Sequence, residues 1–164
     1  MFILDFDDTL FDTHSFKKIL PSCSDLSQES EKIKNLLFPE TVFFLEFLKQ
    51  TSQPLVLLTF GEANFQKTKI NITGIDKFFD LVCITPDAKE KAVDQILNDF
   101  KTEKDVWFIN DKIEETKKVI RHFPNLKPIL KISPRFSIEE YKSSLMPYFP
   151  TLTLIQQYVQ EQIK

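Results

Sequence analysis

Phe2-Ile3-Leu4-Asp5-Phe6-Asp7-Asp8-Thr9-Leu10-Phe11 is an apolar run that ends in a cluster of acids. Three consecutive large apolar residues without polar alternation suit a strand covered on both faces, as in a parallel sheet. Asp5 and Asp7 are two apart, so on a regular strand their side chains share a face. Neighbouring carboxylates repel unless a cation or a shared proton offsets the charge, so the spacing points to a metal or an acid–base pair. Mg²⁺ takes oxygen ligands and holds phosphates through few carboxylates and several waters. A carboxylate can also attack phosphorus, while a second acid protonates the leaving alkoxide and later activates water. Alone, an Asp-x-Asp is equally a cap or a turn. The apolar run before it and Asp8-Thr9-Leu10 after it give it weight.

Outward from this stretch the same pattern recurs. Residues 1–6 form the first apolar run, and residues 55–60 follow Pro54 and stop at Gly61. Residues 81–84 stop before Thr85-Pro86, residues 106–109 stop at Asn110-Asp111, and a weaker run covers 128–132. Helical patterns lie between. Residues 39–49 begin with Pro and place Val42, Leu45 and Leu48 on one side. Residues 87–100 put Ala92, Val93, Ile96, Leu97 and Phe100 on one stripe, with Asp87 as the expected cap. Residues 112–122 are halted before Pro124, and residues 137–164 hold two helical stretches separated by Pro147 and Pro150. Strands alternating with helices specify an α/β fold with a doubly wound parallel sheet, here as a single domain over 1–164. Ligands in such sheets bind beyond the carboxyl ends of the strands. Those ends carry Asp5 and Asp7, Thr59-Phe60-Gly61, and Asn110-Asp111. Residues 13–38 interrupt the alternation: they are polar, contain Pro21 and a Ser-rich patch around Cys23, and read either as a small lid or as an exposed connection.

Composition excludes several classes. With 24 acids against 21 bases the net charge is −3, so no global field draws nucleic acid or an anionic membrane. The most basic stretch, 117–135, spreads its cations over a helix, a loop and a strand, as a solvated face would. Seventeen phenylalanines point to an aromatic core. Cys23 and Cys83 form no metal or redox spacing, no run approaches the roughly 20 apolar residues of a membrane span, and the first residues lack a secretory leader. The expectation from composition is a cytoplasmic protein. Its oligomeric state is not legible.

Asp5-Phe6-Asp7-Asp8-Thr9-Leu10-Phe11 resembles the first motif of the haloacid dehalogenase-like (HAD) phosphatase superfamily. The resemblance covers most of the chain, because the other motifs follow in order. It implies a Rossmann-like core with a minimal or very small helical cap (residues 13–38), Mg²⁺ as cofactor, and hydrolysis of small phosphomonoesters through an aspartyl-phosphate. By that similarity Asp5 is nucleophile and metal ligand. Asp7 is the general acid/base, with its main-chain carbonyl on the metal. Dehalogenase members lack this second Asp, which favours phosphoryl chemistry. Leu57-Leu58-Thr59-Phe60-Gly61 resembles the second motif, so the Thr59 hydroxyl and the N–H groups of Phe60 and Gly61 would bind phosphate. Gly61 would admit close approach of main chain to ligand.

The third motif is a lysine. Lys89 has apolar Ala92, Val93 and Ile96 at +3, +4 and +7, whereas Lys91 has Asp94, Gln95 and Asn98, so Lys89 is preferred. Val106-Trp107-Phe108-Ile109-Asn110-Asp111 resembles the fourth motif, making Asp111 a metal ligand. Asn110 replaces the usual Gly, and Glu115 stands where a second Asp is usual, either near the metal or orienting Lys89. Asp8 and Asp12 read as turn residues and His14 as surface. Two other readings remain open: a HAD-like binding or regulatory module with little turnover, and a phosphatase for a macromolecular phosphate.

Overall fold

The computed structural model describes residues 1–22 and 25–163, so Cys23 lies outside the described residues. Six strands form one parallel sheet in the order β3-β2-β1-β4-β5-β6: β1 (Phe2–Leu4), β2 (Leu55–Phe60), β3 (Leu81–Thr85), β4 (Trp107–Asn110), β5 (Lys127–Lys131) and β6 (Tyr148–Phe149). The helices are α1 (Thr13–Ile19), α2 (Ser30–Lys34), α3 (Thr41–Gln50), α4 (Ala63–Thr73), α5 (Lys89–Asp99), α6 (Ile113–His122), α7 (Ile138–Ser143) and α8 (Leu152–Ile163).

The uninterrupted apolar runs are explained by burial on both faces. Phe2 and Leu4 of β1, with Leu55 and Leu57 of β2, pack on Phe44, Leu45 and Leu48 of α3 and on Ile155 and Val159 of α8. Met1, Ile3, Val56, Leu58 and Phe108 point the other way, onto Ala92, Val93 and Ile96 of α5 and Val119 of α6. The sheet is therefore doubly wound, as the alternation of elements implies.

Two elements go beyond the sequence reading, α4 and β6. The short β6 pairs with β5 at Leu130↔Tyr148 and Lys131↔Phe149, between Pro147 and Pro150. The start of α5 also differs. Asp87 does not cap it; Ala88 occupies the cap position without a side-chain bond, and the Asp87 N–H donates to Thr85 Oγ1 at 3.1 Å. Residues 13–38 contain α1, two short 3-10 turns and α2, and they bury Phe16 and Ile33 against the core.

Register fixes where the functional residues meet. Leu4 lies beside Leu57 on one side and Ile109 on the other, and the Asp5 N–H donates to Ile109 O at 2.9 Å. Asp5, Thr59 and Asp111 therefore all emerge at the carboxyl edge of three adjacent strands. This is the position where strand order reverses between β1 and β4, the site of ligand binding in open α/β sheets.

Candidate active site

Asp5 leaves the end of β1 fully buried and is met by a cation from α5. Lys89 Nζ lies 2.7 Å from Asp5 Oδ1 and 2.8 Å from Glu115 Oε2, with the lysine itself enclosed. The helix delivers it because Lys89 heads the buried stripe of Ala92, Val93 and Ile96. Burial works against its ammonium, but Asp5 and Glu115 more than offset that and hold its pKa above the ordinary value. Lys91, the other lysine of the motif, is exposed and lies 3.7 Å from Asp87. Glu115 thus faces Lys89, and it also accepts from Asn110 Nδ2 at 2.8 Å.

Asp7 has a different set of partners, none of them foreseen. Its Oδ1 accepts from Thr13 Oγ1 at 2.6 Å and lies 2.5 Å from Lys69 Nζ; its Oδ2 accepts from Gln66 Nε2 at 2.7 Å. Lys69 is only 2% exposed. Its ammonium sits among the rings of Phe6, Phe11, Phe16 and Phe65, at 5.1, 4.9, 5.1 and 5.7 Å from their centroids. Such ring faces attract a desolvated cation. Burial pulls the Lys69 pKa down, with Asp7 opposing it. Burial also pushes on Asp7, but Lys69, Thr13 and Gln66 outweigh it and hold the carboxyl below its usual range.

Gln66 and Lys69 both come from α4, whose buried positions are Gln66, Lys69, Ile70 and Thr73. A helix stripe that is mostly polar on its buried side carries no hydrophobic period, which is why the sequence reading passes over it. The available signals were its ends. Glu62 caps the start by accepting from Asn64 N and Phe65 N, and Gly74 closes it in the left-handed conformation.

The second-motif residues need one correction. Thr59 is buried at the end of β2, and its hydroxyl has no hydrogen-bond partner among the described residues, so it is available to an anion. Gly61, however, spends its N–H on Thr85 O at 3.0 Å and cannot also offer it to phosphate. Its φ is +148°, and a Cβ there would lie 2.9 Å from Gln66 Cγ and Nε2. Glycine therefore suits the close passage of Gln66 at this point. The Phe60 carbonyl accepts from Gln66 Nε2 at 2.8 Å, while its ring is 49% exposed.

Asp111 follows β4. Its main chain is pinned by Asn110 Oδ1, which accepts the Asp111 N–H at 3.0 Å, and by Tyr141 Oη, which donates to its carbonyl at 3.1 Å. Asn110, in place of a glycine, therefore ties Asp111 to Glu115. Both Asp111 carboxylate oxygens are buried without a partner among the described residues, as is Asp5 Oδ2. Burial and the neighbouring Asp5 push the Asp111 carboxyl up to about 8, and burial raises Asp5 with Lys89 offsetting only part of it. Two raised carboxyls with three bare oxygens are short of positive charge, and the donor set is all oxygen. Both features fit a hard cation such as Mg²⁺. No group of three or more His, Cys, Asp or Glu surrounds a common point among the described residues. The side-chain ligands would be Asp5 and Asp111, because Asp7's carboxylate is turned to Lys69.

The remaining candidates fall into place around these. Asp8 adopts φ +59°, accepts the Thr13 N–H at 3.1 Å and meets Arg135 Nε at 2.6 Å. Asp12 caps α1 through Ser15 N, and His14 is exposed. The basic stretch 117–135 is not wholly a solvated face: exposed Arg135 reaches buried Asp8, and Lys131 is buried and lies 4.4 Å from the Phe38 ring centroid. Cys83 is a free thiol on β3. No helix among the described residues is long and apolar enough to cross a membrane.

No protein-family model and no curated protein matches this sequence. Solved structures do resemble it. A predicted phosphatase from Clostridium acetobutylicum superposes with a TM-score of 0.74 at 17% identity, covering 98% of this chain and 97% of that one. A HAD-superfamily hydrolase from Ehrlichia chaffeensis gives 0.68 at 16%, over 99% and 97%. A magnesium-bound HAD-hydrolase structure from Bacillus subtilis gives 0.66 at 12%, over 96% of each chain. Dehalogenases are also among the similar structures. The fold of this chain is HAD-like.

Proposed function

We propose that this protein is a Mg²⁺-dependent phosphohydrolase that removes phosphate from small phosphomonoesters through an aspartyl-phosphate on Asp5. The observation that carries this reading is the state of Asp5: one oxygen is held by Lys89 at 2.7 Å, and the other is buried and bare beside the orphaned Asp111. A HAD-like fold is also found in dehalogenases, and the acid at position 7 is what favours phosphoryl transfer here. A Mg²⁺ ion held by Asp5 and Asp111, with the Asp7 carbonyl, would supply charge shielding between nucleophile and phosphate.

The chain's own groups then divide the work. The Thr59 hydroxyl donates to a phosphate oxygen, and Lys89 keeps the Asp5 carboxylate oriented and balances charge gathered on it. An Asp5 oxygen bonds to phosphorus as the ester P–O bond breaks, and the departing alkoxide takes a proton from Asp7. Water then attacks the aspartyl-phosphate, giving its proton to Asp7, and the P–O bond to Asp5 breaks to release inorganic phosphate. Lys69 favours the ionised form of Asp7, so it assists the water step more than the alkoxide step. Residues 13–38 act as the small cap, since Phe16 and Leu20 line the same cavity as Asp7.

The test is phosphate release from a phosphoester panel with Mg²⁺, comparing wild type with Asp5→Asn. Turnover at least about 10³-fold lower in the variant is expected for loss of a nucleophile. Equal turnover would remove Asp5 from the chemistry.

A further inference from the structure

The cavity next to Asp7 has a wall composition that speaks to the alcohol half of the substrate. It is an open cleft of about 350 Å³, room for one or two rings. Phe16, Leu20, Phe60 and Phe65 supply its apolar faces, from α1, the turn after it, the end of β2 and the first turn of α4. Phe60 directly follows Thr59, and its half-exposed ring leaves an aromatic face open for a ligand to cover.

The neutral and acidic polar groups in this wall are occupied by one another. Thr13 Oγ1 donates to Asp7; Gln66 Nε2 divides its hydrogens between Asp7 Oδ2 and Phe60 O, at 2.7 and 2.8 Å; and Gln66 Oε1 accepts from Lys69 at 3.2 Å. What remains polar are cations: Lys17, together with Lys112 and Arg135, which already meet Glu115 at 3.7 Å and Asp8 at 2.6 Å. A polyhydroxylated body entering here would lose water and find few neutral partners, and unpaired polar groups are expensive. A flat apolar body would instead cover Phe60 and lie against Phe65, whose ring is backed by buried Phe16 with centroids 6.0 Å apart.

Resting on the phosphohydrolase reading, we propose that this cavity selects phosphomonoesters whose alcohol carries an aryl or arylalkyl body, and discriminates against sugar and polyol phosphates. Phe60 is the specificity-determining side chain.

The experiment compares 2-phenylethyl phosphate with glycerol 3-phosphate, both with primary alkoxide leaving groups, so that leaving-group chemistry does not set the ratio. The kcat/KM ratio is expected to favour the aromatic ester by about tenfold to a hundredfold, the range a hydrophobic pocket delivers. Phe60→Ala should reduce that ratio about tenfold, and Phe60→Tyr should retain it. A ratio near one, or one favouring the polyol, overturns the proposal while leaving the hydrolase reading intact. Should neither ester turn over, it is the hydrolase reading that fails. The cavity is then read by calorimetric binding of phenylphosphonate and methylphosphonate to the wild-type protein. Tighter binding of the phenyl compound by about tenfold supports the aromatic cavity; equal or undetectable binding of both overturns it.

Discussion

An ammonium group as enclosed as that of Lys69 loses nearly all of its hydration, and only its surroundings can make up the loss. Asp7 at 2.5 Å and Gln66 Oε1 at 3.2 Å provide the polar compensating contacts, and four phenyl faces provide the others. Removing the lysine leaves Asp7 charged in a mostly dry pocket, a situation that typically costs about 3–5 kcal/mol. Lys69→Met is therefore expected to lower unfolding stability by that order, and the Lys69→Met/Asp7→Asn double variant to lose clearly less than the two singles combined. Urea unfolding of the four proteins measures the coupling; strict additivity would mean the pair does not act as a unit. Glu115 allows a pH test. Burial opposes its ionisation, but Lys89, Lys112 and Asn110 outweigh it and hold the carboxyl below the ordinary glutamate value of 4.5. A depressed carboxyl contributes stability above the unfolded value that is lost as pH falls through the folded one. The stability gap between wild type and Glu115→Gln should be open at neutral pH and close well below pH 4.5. A gap that persists in acid would show that shape, rather than charge, explains it.

The junction from β2 into α4 places Thr59, Gly61 and Gln66 within one short stretch, and its geometry is set by Gly61. At φ +148°, and with Gln66 atoms 2.9 Å from where a Cβ would stand, alanine is strained in backbone and side chain alike. Gly61→Ala is expected to cost about 1–3 kcal/mol of stability and to lower kcat by displacing Gln66 from Asp7, more than it raises KM. Thermal unfolding with steady-state kinetics checks both, and a neutral effect on each would refute the proposed close passage. The same junction shows why part of the site was not legible in the sequence. Thr59 and Gly61 stand out because an apolar run ends there. Gln66 and Lys69 do not, because the α4 stripe they occupy replaces apolar residues by polar ones that bond each other and Asp7. β6 was hidden for a related reason: two residues between prolines carry no period, and only the open edge of β5 makes Tyr148 and Phe149 a strand. Where burial is apolar, as along β1, β2, β4 and α5, the pattern gave the elements directly. Where burial is polar, only the fold reveals it.

Across the molecule the parallel order places β1 between β2 and β4, so the acids after β1, the threonine after β2 and the acid after β4 have no option but to meet. That convergence was readable from the strand ends alone. The electrostatic imbalance it creates was not, since it depends on how deeply each carboxylate is buried. Asp111 concentrates the imbalance: it has two bare oxygens, Asp5 nearby, and a carboxyl pushed up to about 8. Such a group weakens the fold that carries it unless a cation arrives. Asp111→Asn should accordingly raise the stability of the metal-free protein, by roughly 1–3 kcal/mol, as residues kept for function at the expense of stability tend to do when replaced. The wild type should gain from Mg²⁺ by mass action, about 2.7 kcal/mol at a concentration one hundred times the dissociation constant. The variant should gain little. Thermal unfolding of both proteins across a Mg²⁺ series separates the two effects, since one moves the starting Tm and the other moves the slope. A variant that begins less stable than wild type and still climbs with Mg²⁺ would show that Asp111 supports the loop after β4 and that the cation is held elsewhere.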